Sequence, residues 1–191
     1  MDIRLLCEQE LPFAVDLSRY TFEYCLQRSI MQQDLITGFY RYVSLENLYQ
    51  LMQSRRICIW GAWLNGQLVG VSAMQAEGHI TMLYIAPFCQ RRGIGKVLLR
   101  EMRKFAADVL SCQVVTINAM PAWTGSYFQR QGFSLIQMQP IGAPYVSLLA
   151  PVIKEVSYPI KPMKPGIVAA VIGGFVFLIL LIAFGFMLIC Y

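Results

Sequence analysis

HITMLYIAPFCQRRGIGKVLLREM, residues 79 to 102, decides how the rest of this chain is read. Its first part, ITMLYIAP, is a short apolar run that reads as a strand ending at Ala86-Pro87. From about Ile94 to Leu110 the period changes. Ile94, Val97, Leu98, Met102, Phe105 and Val109 form one face and Lys96, Arg100, Arg103 and Lys104 another, the pattern of an amphipathic helix. Between strand and helix lies QRRGIGK, residues 90 to 96. A Walker phosphate loop needs G-x-x-x-x-G-K-[ST], and here Lys96 follows G-x-G and precedes Val97. The dinucleotide fingerprint G-x-G-x-x-G fails at Leu98. What remains is Q-x-x-G-x-G on Gln90, Gly93 and Gly95. Glycines there let the backbone turn tightly towards a ligand, and free N–H groups at a helix start favour an anion such as pyrophosphate. Arg91, Arg92 and Lys96 add positive charge.

Outward from this loop the chain alternates strands and helices. Residues 2 to 6 predict a strand, 10 to 28 a helix with Pro12 in its first turn, and 44 to 54 a helix with Ser44 as N-cap. Residues 56 to 87 hold three strands, the first two joined at Asn65-Gly66 and the third set off by Gly78. After the basic helix come a strand at 114 to 118, a short helix in GSYFQRQ and a strand in GFSLIQMQ. The expected class is α/β (α+β), a mixed central sheet flanked by helices. Adjacent hairpin strands exclude a doubly wound parallel fold.

Of the 191 residues, 57% are hydrophobic, and the excess collects at one end. Gly166 to Cys190 is a run of 25 residues without a charge, long enough as a helix to cross a hydrocarbon core of about 30 Å. A C-terminal transmembrane helix at 166–190 is therefore expected. Residues 151–165 carry four of the nine prolines and read as a stiff connector, leaving 1–150 as the folded domain. Lys154, Lys161 and Lys164 precede the span and MDIRLLCEQE does not read as a secretory signal. The positive-inside bias then predicts a single-pass protein with its domain in the cytoplasm and the bilayer as a partner. Ala169/Gly173 and Ala170/Gly174 offer small-residue pairs for a homodimer of spans.

The net charge of +5 is too modest to argue for nucleic acid. Six cysteines without C-x-x-C, and one histidine, argue against a metal site. Cys89 lies beside the loop without a second cysteine or histidine near it in sequence, which argues against an acyl-cysteine intermediate.

HITMLYIAPFCQRRGIGKVLLREM together with GSYFQRQGFSLI resembles the two signature motifs of the Gcn5-related N-acetyltransferases, which move acyl groups from coenzyme A to amines. The resemblance covers about residues 1 to 138 and is most specific from 79 to 133. It implies the acyl-CoA N-acyltransferase fold, acetyl-CoA as acyl donor and an amine acceptor. The turn amides of Arg91, Arg92, Gly93, Ile94, Gly95 and Lys96 would hold the pyrophosphate, helped by the Gln90 side chain. Leu83, Tyr84 and Ile85 would pair with the pantetheine arm, one N–H polarising the thioester carbonyl.

The resemblance also implies where proton transfer would occur. His79, eleven residues before Gln90, falls where some members place a catalytic glutamate. A group titrating near 6.5 suits a general base, with Glu77 a second choice. Phe128, four residues before Gly132, stands where many members have tyrosine, and is expected beside the coenzyme. Tyr127 precedes it and is the candidate acid for the departing thiolate, with Tyr84 and water as alternatives. Asn118 would hydrogen-bond the pantetheine or simply end its strand. The first helices and last strands, 20 to 45 and 134 to 150, would line the acceptor pocket. Their aromatics Tyr20, Phe22, Tyr24, Phe39, Tyr40 and Tyr42 favour a small or partly apolar amine over a polycation. The rival expectation is a catalytically silent acyl-CoA-binding module at the membrane.

Overall fold

Asn65 and Gly66 both adopt positive φ, 50° and 78°, the signature of a two-residue turn whose twist matches the strands it joins. Around that turn β2 (Ile57–Leu64) and β3 (Gln67–Gln75) pair antiparallel, as expected from Asn-Gly between apolar runs. The computed structural model describes residues 1–27, 30, 32–136 and 143–153. The expected span at 166–190 and most of the connector lie outside them. Among the described residues no helix is long and apolar enough to cross a membrane.

The sheet has seven strands in the order β1-β2-β3-β4-β5-β7-β6. β1 (Asp2–Leu5) extends the hairpin on one side and β4 (His79–Ile85) on the other, all antiparallel. β5 (Val114–Ala119) runs parallel to β4, and this parallel step makes the sheet mixed. β7 (Val146–Pro151) then inserts between β5 and the two-residue β6 (Ser134–Leu135), both antiparallel to it.

Alternation along the strands assigns the helices to faces. Trp60 of β2 opposes Ser72 of β3, which opposes Leu83 of β4. The Trp60 ring meets Phe105 edge-on at 5.2 Å, so this face carries α4 (Ile94–Asp108). Tyr84, one residue on, meets Phe39 of α2 (Gln33–Tyr42) at 5.8 Å on the other face. α1 (Leu11–Cys25) stacks Phe22 on Phe39 at 3.7 Å and shares that face. Ser44 caps α3 (Leu45–Gln53) by accepting from the Asn47 amide, as its sequence predicts. Leu11, Leu48, Val71, Met82, Leu98, Met102 and Leu148 are among the fully buried side chains that fill both layers. α5 (Gly125–Arg130) packs against β7.

Three elements depart from the sequence reading, one of them β7, which the strand-by-strand reading does not contain. α2 has no counterpart there, although Leu35, Ile36, Phe39, Tyr40 and Val43 follow a helical spacing interrupted only by Gly38. The strand expected over GFSLIQMQ shrinks to Ser134–Leu135 within the described residues.

Candidate active site

β4 and β5 are zipped at one end and parted at the other. Their pairing is confined to His79–Thr116 and Ile80–Ile117, with the Thr116 amide donating to the Gly78 carbonyl at 3.1 Å. Beyond that point β4 continues to Ile85 and β5 to Ala119 without pairing. A bulge at Thr81 helps to part them: Met74 and Ala73 oppose Ile80 and Met82, leaving Thr81 as the extra residue. The gap is a cleft of about 670 Å³, lined by Thr81 and Leu83 to Ile85 on one side and Ile117 to Ala119 on the other.

The glycine loop closes the open end. After a 3-10 turn at Pro87–Cys89 the chain passes through Arg91 at φ 61° and Gly93 at φ 83° into α4. No side chain among the described residues caps α4, and its first intrahelical bond is Val97 N–H to Gly93 C=O at 3.1 Å. The amides of Ile94, Gly95 and Lys96 precede that bond and have no intrahelical acceptor, so they suit an anion. The exposed Arg91, Arg92 and Lys96 side chains surround this end with positive charge.

The two glycines of the loop serve different needs. A Cβ on Gly93 would touch nothing within 4 Å, so only its positive φ calls for glycine. Gly95 has helical backbone, yet a Cβ there would lie 2.6 Å from the Tyr127 hydroxyl. Space, not conformation, selects glycine at 95.

Several expected site residues do meet in the cleft: Leu83, Tyr84, Ile85, Gln90, Arg91, Gly93 to Lys96, Asn118, Tyr127 and Phe128 contribute to its lining, whereas Arg92 does not. Three of the expected site residues have settings that the motif alone does not foretell. Gln90 turns its amide back to the Ile85 carbonyl at 3.1 Å and Cys25 Sγ at 3.3 Å, because strand and loop leave that carbonyl without a ladder partner. Phe128 is buried, edge-on to Phe133 at 5.8 Å, and fills the core with one ring edge at the cleft. His79 is not among the lining residues. It sits at the zipped end, half-buried, with Nδ1 2.8 Å from Thr116 Oγ1. Burial lowers its pKa, partly offset by Glu77.

Tyr127 is half-buried with its pKa raised by desolvation, opposed by Arg130, so its hydroxyl stays protonated at neutral pH. Tyr84 is held still more firmly in the neutral form by burial, with Tyr42 adding to it. Asn118 accepts from Ser147 Oγ at 2.8 Å, which ties the β5 end to β7. The aromatics expected around an acceptor divide: Phe22 and Phe39 are core, whereas Tyr20 and Tyr24 face solvent. Sequence reasoning missed Trp123, Thr21 and Cys25, which also line the cleft. None belongs to a motif, and only the packing of α1 and of the turn after β5 brings them there.

Strands that part over a glycine loop opening a helix define, as a class, an acyl-CoA N-acetyltransferase. A family model described as an acetyltransferase (GNAT) domain matches residues 27–142, more than half of the chain. The chain belongs to the Gcn5-related N-acetyltransferase family. Solved structures share the fold. PaiA N-acetyltransferase of Thermoplasma acidophilum, in complex with coenzyme A, is 16% identical at a TM-score of 0.66, over 79% of this chain and 99% of its own. A ribosomal-protein-alanine N-acetyltransferase of Brucella melitensis is 22% identical at 0.57, over 78% and 97%. An acetyltransferase from Thermus thermophilus is 18% identical at 0.60, over 79% and 97%. None of the curated proteins matches the sequence.

Proposed function

We propose that this protein transfers an acetyl group from acetyl-CoA to a primary amine by direct attack, without a covalent enzyme intermediate. The observation that carries this reading is the unpaired edge of β4 from Met82 to Ile85, continuous with the uncapped start of α4. A pantetheine arm is itself a chain of amides and takes the place of the missing strand. Its pyrophosphate then falls at the amides of Gly93 to Lys96.

In the reaction the amine nitrogen bonds to the thioester carbon, and a β4 amide stabilises the tetrahedral oxyanion. The nitrogen, cationic after attack, gives a proton to water, the C–S bond breaks, and the thiolate takes a proton from water, since the Tyr127 hydroxyl lies against Gly95 at the pyrophosphate end. Among the described residues the cleft lining contains no carboxylate and no histidine. The ammonium proton of the acceptor therefore leaves to water rather than to His79. Turnover should rise with pH towards the pKa of the acceptor, since only the neutral amine attacks.

Calorimetry on the full chain with acetyl-CoA, followed by thiol release with a panel of amines, tests the reading. No acetyl-CoA binding would end it. Binding without turnover on any amine would return the silent regulatory module. We propose further that residues 166–190 anchor the domain to a membrane, on the support of their length and lack of charge and the three preceding lysines. Alkaline extraction should leave the full chain in the membrane pellet and release a chain ending at 165.

A further inference from the structure

Three tryptophans divide by environment. Trp60 is 5% exposed against Phe105, and Trp63 is partly buried beneath the Arg4 guanidinium. Trp123 is 61% exposed, yet it lines the coenzyme cleft. Its backbone is held in place: the Thr124 amide and hydroxyl both donate to the Pro121 carbonyl, at 2.9 and 2.7 Å, and Ser126 Oγ donates to the Trp123 carbonyl at 3.1 Å. An indole held out on a pinned turn presents a large flat surface at little ordering cost.

Two contacts orient that surface relative to the anion seat. The Tyr127 hydroxyl lies against Gly95, the second residue of α4. Eight residues further along α4, Arg103 donates to the Gln131 carbonyl at 3.3 Å, four residues after Tyr127. The two helices therefore run in the same sense. Trp123 lies in the 3-10 turn Ala122–Thr124 that leads into the N-terminal end of α5, and it borders the same cleft as Arg91 and Gly93.

We infer that Trp123 is the stacking platform for the adenine ring of the coenzyme. The inference rests on the coenzyme reading above. With the pyrophosphate on the first amides of α4, the adenine hangs one ribose away, on the solvent side of the loop. Every purine offers a π-face to an indole, and the stack needs no hydrogen-bond partners. It also covers apolar indole surface that the fold alone leaves in water.

The test compares coenzyme A with 4′-phosphopantetheine, which keeps the arm and one phosphate but has no adenosine. Binding of both to the full chain is measured by calorimetry, and indole fluorescence is followed alongside. Trp123→Ala should weaken coenzyme A about tenfold, within the range for loss of one base–aromatic stack, and leave 4′-phosphopantetheine within about twofold. Trp123→Phe should keep most of the affinity and lose the fluorescence quench that coenzyme A causes in the wild type. Equal losses for both ligands, or none for either, would overturn the stack while leaving the coenzyme reading intact. A wild type that binds neither would remove both.

Discussion

The two ends of the β4–β5 seam are built from the same two strands and do opposite things. At the His79–Thr116 end, backbone and side-chain groups satisfy one another and the seam is closed. At the Ile85–Ala119 end the same strands diverge past the Thr81 bulge, and their polar edges face a cleft. Unpaired backbone groups shut inside a protein cost stability, so an open seam persists only where water or a ligand reaches it. One end of the pair therefore carries stability, and the other is the end proposed above to bind the coenzyme.

The largest effect should come at the open end. Gly93→Val places a β-branched residue at φ 83°, a strain of about 1–3 kcal/mol, and should weaken coenzyme A binding by up to about a hundredfold in calorimetry. A Cβ there meets nothing, so the strain alone sets the stability cost, and denaturant unfolding should show the same loss of about 1–3 kcal/mol. Gly95→Ala should act through packing instead, costing about 1–3 kcal/mol in denaturant unfolding. Adding Tyr127→Phe removes the clashing hydroxyl and should restore most of that loss. Additive losses in the double variant would show that the contact is not what selects glycine at 95.

Changes at the closed end should be smaller and silent for binding. Thr116→Val takes the hydrogen-bond partner from His79 and should cost about 0.5–1.5 kcal/mol in denaturant unfolding, with coenzyme A affinity unchanged. A parallel drop in affinity would break the division between the two ends. The smallest effect is the pH response of His79→Gln. Burial lowers the His79 pKa in the folded state, so on acidification the unfolded chain takes up the proton first. Stability is complete above about 6.5, the unfolded value, and falls as pH drops below it. The glutamine variant should flatten that slope in melts between pH 5 and 7 and retain turnover. A loss of turnover with an inflection near neutrality would instead make His79 the base.

Legibility in the sequence followed the range of the forces involved. Asn65-Gly66, Ser44 and the Q-x-x-G-x-G turn are local devices, each needing only a few neighbouring residues, and each appears where its residues predict. α2 carries a helical pattern too, but Gly38 interrupts it and Phe39 finds its reason to be helical in Phe22 and Tyr84. At Gln90 and Phe128 the motif position was legible and the direction of the side chain was not. Gln90 satisfies a carbonyl that the end of β4 leaves unpaired, and Phe128 fills space beside Phe133.

By itself the sequence determined the class of the fold, the glycine loop whose amides suit an anion, and the uncharged stretch at 166–190, because periodicity, glycine placement and composition are properties of short segments. Only the tertiary structure decided that β7 enters the sheet between β5 and β6, and that His79 lies at the closed end of the seam. It alone brings Trp123 to the mouth of the cleft. Those outcomes depend on which distant strands pair and on where a single bulge stops the pairing. No local pattern in the chain encodes either.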